Sequence, residues 1–598
     1  MSSTSVKIAS TLISAKRNKS FLKHINILAL SLFATTTLFA APPSTQSLLQ
    51  QQEELTRLPK LTPANIQTAP EPEKPAAPII SNIQVAPKVF SFQGNITIFT
   101  QSELEAMAAP YIGKKQGIEG LYDLLEVIRN AYREKGYTVV RVFFPLQDIT
   151  EGNIVIKIIE AIVDDTQGSI KIQGKDLRVN ENYALKIVKK ALQPGTILKQ
   201  ENLERAILLV NDMPGLSATA NMTPGVKENS TGVTAEVTEG KKGNYFTSLN
   251  NSGNRYTGLY TWTLGADIKD ISGYGDDLKV SGVKTLGYGD QNLYSVDYSS
   301  NVGYDGWRVG ANFAKVKYSL GGDYKSADIA GTATTQMVYA TYPIYRTSLT
   351  NLRFNTAYKN TNTEGTTQQV VSSKDTLRNF TNTLAADHSD KIWGGGFTSL
   401  SASYTTGSDA IEDAAQLALD QGATGPHVDG SFRKYNINFS RIQRAYSPDY
   451  YFLVNASLQQ ALTNLPGAEQ FSLGGSAGVR AYPSGEGAGD SGLKATLEAN
   501  YVLMKATDWG DVRVKGFYDY GRIMDVRYEY YDGWTELKHY SLQGWGVGLD
   551  FGKPNDFDVS VSIATPIGKN PVADATTGFN SDGQKQQSRV WFQVQKYW

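Results

Sequence analysis

The chain has 598 residues, a formal net charge of zero, four histidines and no cysteine. The lack of cysteine excludes disulfide bonds, thiolate metal sites and a cysteine nucleophile, and the balanced charge gives no indication of a nucleic-acid partner. Length alone suggests about four domains, although one large β domain can account for much of such a chain.

Residues 1–40 have the pattern of a signal peptide. Basic residues precede the apolar segment INILALSLFATTTLFA, which ends at the small residues Ala40 and Ala41. A transmembrane anchor is the alternative, but the segment is short for a spanning helix and contains three threonines. We expect the mature chain to be exported, and either to be soluble or to cross a membrane as strands.

Residues 44–58, STQSLLQQQEELTRL, predict one short helix. Residues 59–87 follow as a proline-rich linker, which includes TPANIQTAPEPEKPAAP. A helix on such a linker can occupy more than one position. A frayed terminus without function is the alternative interpretation.

Residues 88–164 and 165–240 show the same predicted order, β-α-α-β-β, in two copies of about 75 residues. The first copy opens with KVFSFQGNITIF and closes with VVRVFFP and GNIVIKIIE, and the second opens with GSIKIQG and closes with LSATANMTP and GVTAEVTEG. Each copy predicts a small sheet with helices on one face. Such a sheet leaves an edge strand that can accept another chain by β-augmentation.

Residues 241–598 change to segments of about ten residues that alternate in polarity between turn signals. In LKATLEANYVL, residues 493–503, the apolar side chains lie on one face and the polar ones on the other. About 16 such segments follow one another, which predicts a membrane β-barrel rather than a soluble β-sandwich or propeller. The last segment, VWFQVQKYW, ends at the aromatic Trp598, as bacterial outer-membrane barrels do.

A glycine-rich loop at residues 474–492 carries a single arginine, Arg480. Alternation along VRVKGFYDYG, residues 512–521, places Asp519 in the barrel lumen, and a buried guanidinium needs a carboxylate partner. Glu498, also on a lumen face, is the alternative partner. An exposed loop is the other interpretation, in which the arginine contributes less than about 1 kcal/mol.

The strand after Asp519, GWGVGLDF, has glycine at three successive inward positions. These positions leave space against the wall for an inserted segment: Gly544, Gly546 and Gly548.

Several of these segments match the pattern of a known family. EQFSLGGSAGVRAYP, residues 469–483, resembles the VRGY/F loop signature of the Omp85 superfamily, and FYDYG, residues 517–521, resembles its F-x-D-x-G companion. GYTVVRVFFPLQDITEG, residues 136–152, resembles a first POTRA domain, and NNSGNRYTG, residues 250–258, resembles a first barrel hairpin. The chain is thus similar to the two-partner secretion transporters, the TpsB or ShlB/FhaC/HecB-like family.

This resemblance implies α+β periplasmic modules joined to an all-β membrane domain. The implied parts are a signal peptide, an N-terminal plug helix at 44–58, a linker, POTRA domains at 88–164 and 165–240, and a 16-stranded antiparallel outer-membrane barrel at 241–598.

By the same resemblance, the loop at 474–492 folds into the lumen and Arg480 pairs with Asp519. The residues that carry the two motifs are Val479, Arg480, Ala481, Tyr482 and Pro483 in the loop, and Phe517, Asp519 and Gly521 in the wall. The family has glycine where this chain has Ala481. If that position requires a positive φ, alanine adds strain of about 1 kcal/mol.

The implied function is ATP-independent translocation of one unfolded TpsA exoprotein from the periplasm to the cell surface. The cargo class would be an adhesin, a haemolysin, a contact-inhibition toxin or a haem-scavenging protein. We expect a monomer without enzymatic activity, metal or cofactor, which reaches the outer membrane through the barrel assembly machinery by way of Trp598. The 44–58 helix and the 474–492 loop are the candidate plugs of the resting pore.

Three other functions are consistent with parts of the pattern. An Omp85-type insertase shares both motifs but usually carries more POTRA domains, and a passive porin does not need them. A hydrolase is disfavoured, because the histidines after the signal lack a recognisable serine or metal partner pattern: His388, His427 and His539.

Overall fold

The computed structural model describes residues 84–447, 449–507, 510–525 and 539–598. The predicted signal peptide, the predicted helix at 44–58 and the linker up to residue 83 lie outside the described residues. The described part consists of two α+β modules followed by a closed barrel.

The first module packs two helices against a three-stranded sheet, in which β5 (Asn153–Glu160) lies between β2 (Val89–Asn95) and β4 (Val140–Phe143). Thr100 caps helix α1 (Gln101–Ala108), and its side chain forms a capping box with Glu103. Helix α2 buries an apolar face of helical spacing that runs from Leu121 to Tyr132. The elements are β1 (Gln84–Val85), β2 (Val89–Asn95), α1 (Gln101–Ala108), a 3₁₀ turn (Ala109–Tyr111), β3 (Gln116–Gly117), α2 (Ile118–Glu134), β4 (Val140–Phe143) and β5 (Asn153–Glu160).

A buried carboxylate holds the first module together. Glu160, which is fully buried, accepts hydrogen bonds from the Thr97 amide (3.0 Å), the Ile98 amide (3.0 Å), the Thr97 hydroxyl (2.6 Å) and the Tyr132 hydroxyl (2.8 Å). Burial and the hydrogen bond to Glu160 raise the pKa of the Tyr132 hydroxyl above its ordinary value. The carboxylate therefore joins the segment before α1 to helix α2 and to the end of β5.

The second module repeats this plan with its own core. Strands β6 and β7 pair in parallel with β9, and β8 pairs with β9 in antiparallel fashion, so that β8 is an edge strand. The elements are β6 (Ile162–Val163), β7 (Ile170–Gln173), α3 (Glu181–Leu192), α4 (Gln200–Asn211), β8 (Leu216–Pro224) and β9 (Ser230–Glu239).

The second module is docked on turns at one end of the barrel. Most of the hydrogen bonds between this module and the barrel involve backbone groups of three barrel turns, and one ion pair also joins the two parts. They are Asn180 N to Gly273 O (2.8 Å), Tyr183 Oη to Gly303 O (2.7 Å), Arg205 Nη1 to Pro343 O (2.8 Å), Ser348 N to Glu204 Oε2 (3.0 Å) and Arg346 Nη2 to Asp212 Oδ1 (2.8 Å).

The barrel consists of sixteen antiparallel strands, each paired with its neighbours in chain order, and it closes by pairing of β10 with β27. This confirms the predicted barrel. Its strands are β10 (Gly243–Asn250), β11 (Tyr260–Lys269), β12 (Asp277–Leu286), β13 (Asp290–Val302), β14 (Trp307–Ser319), β15 (Ile329–Arg346), β16 (Thr350–Thr367), β17 (Val370–Asp390), β18 (Gly396–Ile411), β19 (Gly430–Arg444), β20 (Tyr450–Ala461), β23 (Ser491–Thr507), β24 (Gly510–Asp525), β25 (Tyr540–Lys553), β26 (Phe557–Pro566) and β27 (Arg589–Tyr597).

Shorter elements lie between the barrel strands. They are helix α5 (Ala414–Asp420), strands β21 (Phe471–Ser472) and β22 (Ala488–Gly489), and 3₁₀ turns at Gly322–Ala327, Ile392–Gly394 and Gly467–Glu469. None of the helices in the described ranges is long and apolar enough to cross a membrane.

Strand alternation separates an apolar outer face from a polar lumen. On β25, Trp545, Val547 and Leu549 are exposed on the outside, and glycines alternate with them on the inside. The same alternation on β24 places Tyr518 outward and Asp519 inward, where Asp519 is buried.

Replacement of Glu160 by alanine should destabilise the first module by about 2–4 kcal/mol, because several buried donors lose their acceptor. Urea unfolding of residues 84–240, followed by circular dichroism, measures the loss. Glu119→Ala is the control, since Glu119 is exposed on α2 and should change the free energy of unfolding by less than about 0.5 kcal/mol. Equal effects of the two substitutions would contradict the role of Glu160.

Candidate functional site

The segment between β20 and β23, residues 462–490, folds back into the barrel, and we call it the lumen loop. Its two arms form a short hairpin by pairing of β21 with β22. The Leu473 amide donates to Gly487 O and the Gly474 amide to Glu486 O, both at 2.9 Å. The predicted loop at 474–492 is thus a folded hairpin, and its last two residues belong to strand β23.

The lumen loop packs an apolar surface against the wall. Val479, Ala481 and Tyr482 are each at most 1 % exposed. They belong to one buried cluster with residues of the loop base and of three wall strands: Phe471, Leu473, Phe517, Ile523, Leu542 and Ala564. Pro483 is also buried. Burial of this apolar area favours the inserted position of the loop.

Arg480 lies at the centre of the site. Its Nε and Nη2 donate to the two carboxylate oxygens of Asp519, both at 2.8 Å, and its Nη1 donates to Glu498 at 3.1 Å. The guanidinium carbon also lies 3.3 Å from the centre of the Phe517 ring. Both carboxylates that the sequence offers as alternatives therefore contact the arginine.

The pair is enclosed by further hydrogen bonds. Asp519, whose side chain is 1 % exposed, also accepts from the Arg480 amide (3.1 Å) and the Thr496 hydroxyl (2.9 Å). The Trp591 indole donates to the Arg480 carbonyl at 2.7 Å. The backbone and the side chain of Arg480 are therefore both held. Removal of the Arg480 side chain would leave two buried carboxylates without their cation, at a typical cost of about 3–5 kcal/mol.

Glycines in the wall provide the space for the loop. A Cβ at Gly544 would lie 2.5 Å from the Ala481 Cβ, and one at Gly521 would lie 2.9 Å from Val479 Cγ2. At Gly546 a Cβ would meet the Phe517 ring at 2.3 Å, and at Gly548 it would meet Lys515 Cε at 2.7 Å. Gly544 and Gly521 thus admit the loop, whereas Gly546 admits the ring under the guanidinium.

Ala481 adopts an ordinary backbone conformation, since it is not among the residues with positive φ. Alanine therefore adds no backbone strain at this position. Its methyl group instead fills the space opposite Gly544.

The three histidines considered for a hydrolase lie apart from this site. His388 is in β17, where its Nδ1 lies 2.8 Å from the Thr350 hydroxyl oxygen, His427 lies between α5 and β19, and His539 precedes β25. Within the described ranges, histidine, aspartate and glutamate form no cluster that could hold a metal ion.

Three polar contacts of the lumen loop were not predicted from the sequence. Glu486 accepts from Asn570 Nδ2 (2.5 Å) and from the Ser581 amide (2.7 Å), both in the loop between β26 and β27. Glu469 contacts another part of the wall, and Trp591 binds the Arg480 carbonyl. The available signal was charge: Glu469, Arg480, Glu486 and Asp490 are the only charged residues in the lumen loop.

Substitution of Gly544 by valine should weaken seating of the lumen loop, because the added side chain would overlap Ala481, at a cost of about 1–3 kcal/mol. Trypsin cleavage after Arg480, the only basic residue between positions 462 and 490, measures exposure of the loop. Gly516→Val is the matched control, since a Cβ there meets nothing within 4 Å. Equal protection of both variants would count against tight loop–wall packing at Gly544.

The chain matches two family models. The haemolysin secretion/activation protein family ShlB/FhaC/HecB matches residues 229–551, which is more than half of the chain, and the ShlB-type POTRA domain matches residues 85–161.

Individual relatives match along most of their length. The chain is 26 % identical to the heme/hemopexin transporter protein HuxB of Haemophilus influenzae strain 86-028NP, over 78 % of this chain and 81 % of the relative. It is 24 % identical to the outer membrane transporter CdiB of Escherichia coli O6:K15:H31, over 86 % of each chain. The solved structure of CdiB from Escherichia coli has the same fold, with a TM-score of 0.70 and 19 % identity, over 94 % of this chain and 100 % of that one.

The family match and the shared fold confirm the resemblance that the sequence predicted. They also confirm the predicted location of the protein in the outer membrane. The chain belongs to the ShlB/FhaC/HecB family, the outer-membrane transporters of two-partner secretion, whose barrel lies in the outer membrane and whose POTRA domains lie in the periplasm.

Proposed function

We propose that this protein binds one large unfolded TpsA exoprotein through its POTRA domains and conducts it through the barrel to the cell surface without ATP. The observation that carries the proposal is the buried contact of Arg480 with Asp519 and Glu498. It holds a loop inside a barrel whose mouth carries a docked POTRA domain. The names of the relatives, a heme/hemopexin transporter and an outer membrane transporter, support the same class of activity.

Edge strands supply the proposed binding surface for the client. Strand β8 pairs only with β9 among the described strands, and β2 pairs only with β5. Residues 221–224 at the end of β8 are all exposed. An extended client segment can add to such an edge through main-chain hydrogen bonds, which suits an unfolded chain because recognition does not require a folded epitope.

Transport requires the lumen to open. The lumen loop lies against strands β23 to β26, so that a client must pass beside it or displace it. The helix predicted at 44–58 is the second proposed plug. Folding of the client outside the cell would make the movement one-way, because the folded product cannot re-enter a pore that admits an extended chain.

The remaining parts of the proposal concern assembly. We propose a monomeric transporter without catalytic activity, which the barrel assembly machinery inserts by recognising the last strand and Trp598. Strand β27 pairs with the first barrel strand, and the Trp598 amide donates to the Tyr245 carbonyl at 2.9 Å. The C-terminal residue thus takes part in barrel closure.

Secretion by cells that carry the wild-type chain, Arg480→Ala or no chain tests the proposed function. One large protein should disappear from the medium without the chain, and its amount should fall at least about tenfold with Arg480→Ala, because breaking the buried pair costs several kcal/mol. Heat-modifiable migration verifies barrel insertion. Arg353→Ala is the control, since Arg353 pairs with Asp387 on neighbouring strands β16 and β17.

The alternative function predicts a different pattern. If secretion is intact and other outer-membrane barrels fail to assemble, the protein is an Omp85-type insertase and the transport proposal is wrong.

Deletion of residues 44–58 should raise the conductance of the purified protein in planar bilayers, because a plug would be removed while the lumen loop stays anchored by Arg480. Replacement of the same residues by a glycine- and serine-rich segment of equal length controls for linker length and should raise it equally. Unchanged conductance in both variants would exclude the plug role of this segment.

A further inference from the structure

A second buried charge of the lumen loop lies at its start. The Glu469 carboxylate contacts Lys434 Nζ at 2.6 Å and Lys359 Nζ at 3.6 Å, and it accepts from Asn379 Nδ2 at 2.7 Å. The Glu469 side chain is 7 % exposed, and those of Lys434 and Lys359 are 10 % and 18 % exposed. These side chains form a buried polar site inside the barrel, separate from the site around Arg480.

The backbone at this position is held as well. Lys434 Nζ and Gln459 Nε2 both donate to the Glu469 carbonyl at 2.8 Å. Gln459 Nε2 also donates to the Asp490 carbonyl at 3.0 Å. One wall side chain therefore joins the first and the last part of the lumen loop.

The two charged sites lie on different sectors of the wall. Lys359, Asn379 and Lys434 belong to β16, β17 and β19, which are the seventh, eighth and tenth barrel strands in order. Glu498 and Asp519 belong to β23 and β24, the twelfth and thirteenth. The lumen loop thus reaches from one sector to the other instead of lying along a single wall.

The signs of the loop and wall charges are exchanged between the two sites. At one site a loop cation faces two wall carboxylates, and at the other a loop carboxylate faces two wall ammonium groups. Each site binds only the loop residue of the correct sign, since a like charge in the same place would be repelled. The pair of sites therefore defines the position of both parts of the loop.

We propose that Glu469 is a second anchor of the lumen loop, and that the Glu469 and Arg480 anchors are both required to hold the loop in the position from which transport starts. Glu469 acts as a positioning residue. The part of the inference that concerns transport rests on the proposed function, whereas the anchoring itself concerns the resting protein alone.

Loop mobility tests the anchor directly. The chain has no cysteine, so that a nitroxide on Ala477→Cys, an exposed position near the loop tip, reports the lumen loop alone in full-length protein in nanodiscs. Glu469→Gln should raise the mobile fraction of the spectrum at least about threefold, because loss of a buried charge pair frees the segment that it held. Glu469→Gln combined with Arg480→Ala should raise it beyond either single variant.

Matched variants separate anchoring from a general loss of structure. Asp387→Asn removes a wall carboxylate that pairs with Arg353 and should leave the label immobile. Glu469→Lys should mobilise it, and the charge-swapped combination of Glu469→Lys with Lys434→Glu should restore immobility at least in part. Heat-modifiable migration of each variant verifies that the barrel is intact.

Client secretion is then measured in cells. If the label stays immobile in both Glu469→Gln and Glu469→Lys, Glu469 is no anchor and the inference is overturned, whatever the secretion result. If the label becomes mobile in these variants and the charge swap makes it immobile again, Glu469 is an anchor of the loop. If the label results support the anchor but cells with the wild-type chain secrete no client, the proposed function is wrong and the anchor is not.

Discussion

The positive charge of Arg480 inside the barrel imposes the requirement on which the rest of the site depends. The desolvated guanidinium of Arg480 needs carboxylates within hydrogen-bond distance, and Asp519 and Glu498 meet this need from two neighbouring strands. Phe517 contributes the face of its ring. Because the arginine is held in this place, the loop residues around it must fit against the wall, and Gly521 and Gly544 leave the room for them.

The lumen loop combines an apolar contact with polar anchors, and the two have different physical properties. Burial of Val479, Ala481 and Tyr482 supplies non-directional stabilisation. The ion pairs add little net stability compared with apolar replacements, but they specify one position. In a polar, hydrated lumen a released charge regains water, so that anchors of this kind can open and close again. Such a balance suits a loop that must be both secure and displaceable.

The position of the POTRA domains depends on the barrel turns. Tyr183 and Arg205 donate to the turn carbonyls of Gly303 and Asp305, and the amide of Ser348 donates to Glu204. This interface therefore depends on the shape of the turns more than on their side chains. The edge strand β8 is thereby held at the periplasmic end of the barrel. A client segment added to this edge would start near the entrance of the lumen.

The sequence by itself determined the local elements and their faces. Period-two alternation placed Asp519 and Glu498 inward, and the repeated β-α-α-β-β order predicted two modules of sheet and helices, because both patterns arise from neighbouring residues. Only the tertiary structure decided that Arg480 contacts both carboxylates, that Ala481 avoids a positive φ, and that Glu469 meets Lys434 and Lys359. These facts depend on which strands become neighbours around a closed barrel and on how a loop crosses it. Residues more than a hundred positions apart meet there, and no local pattern records such a contact.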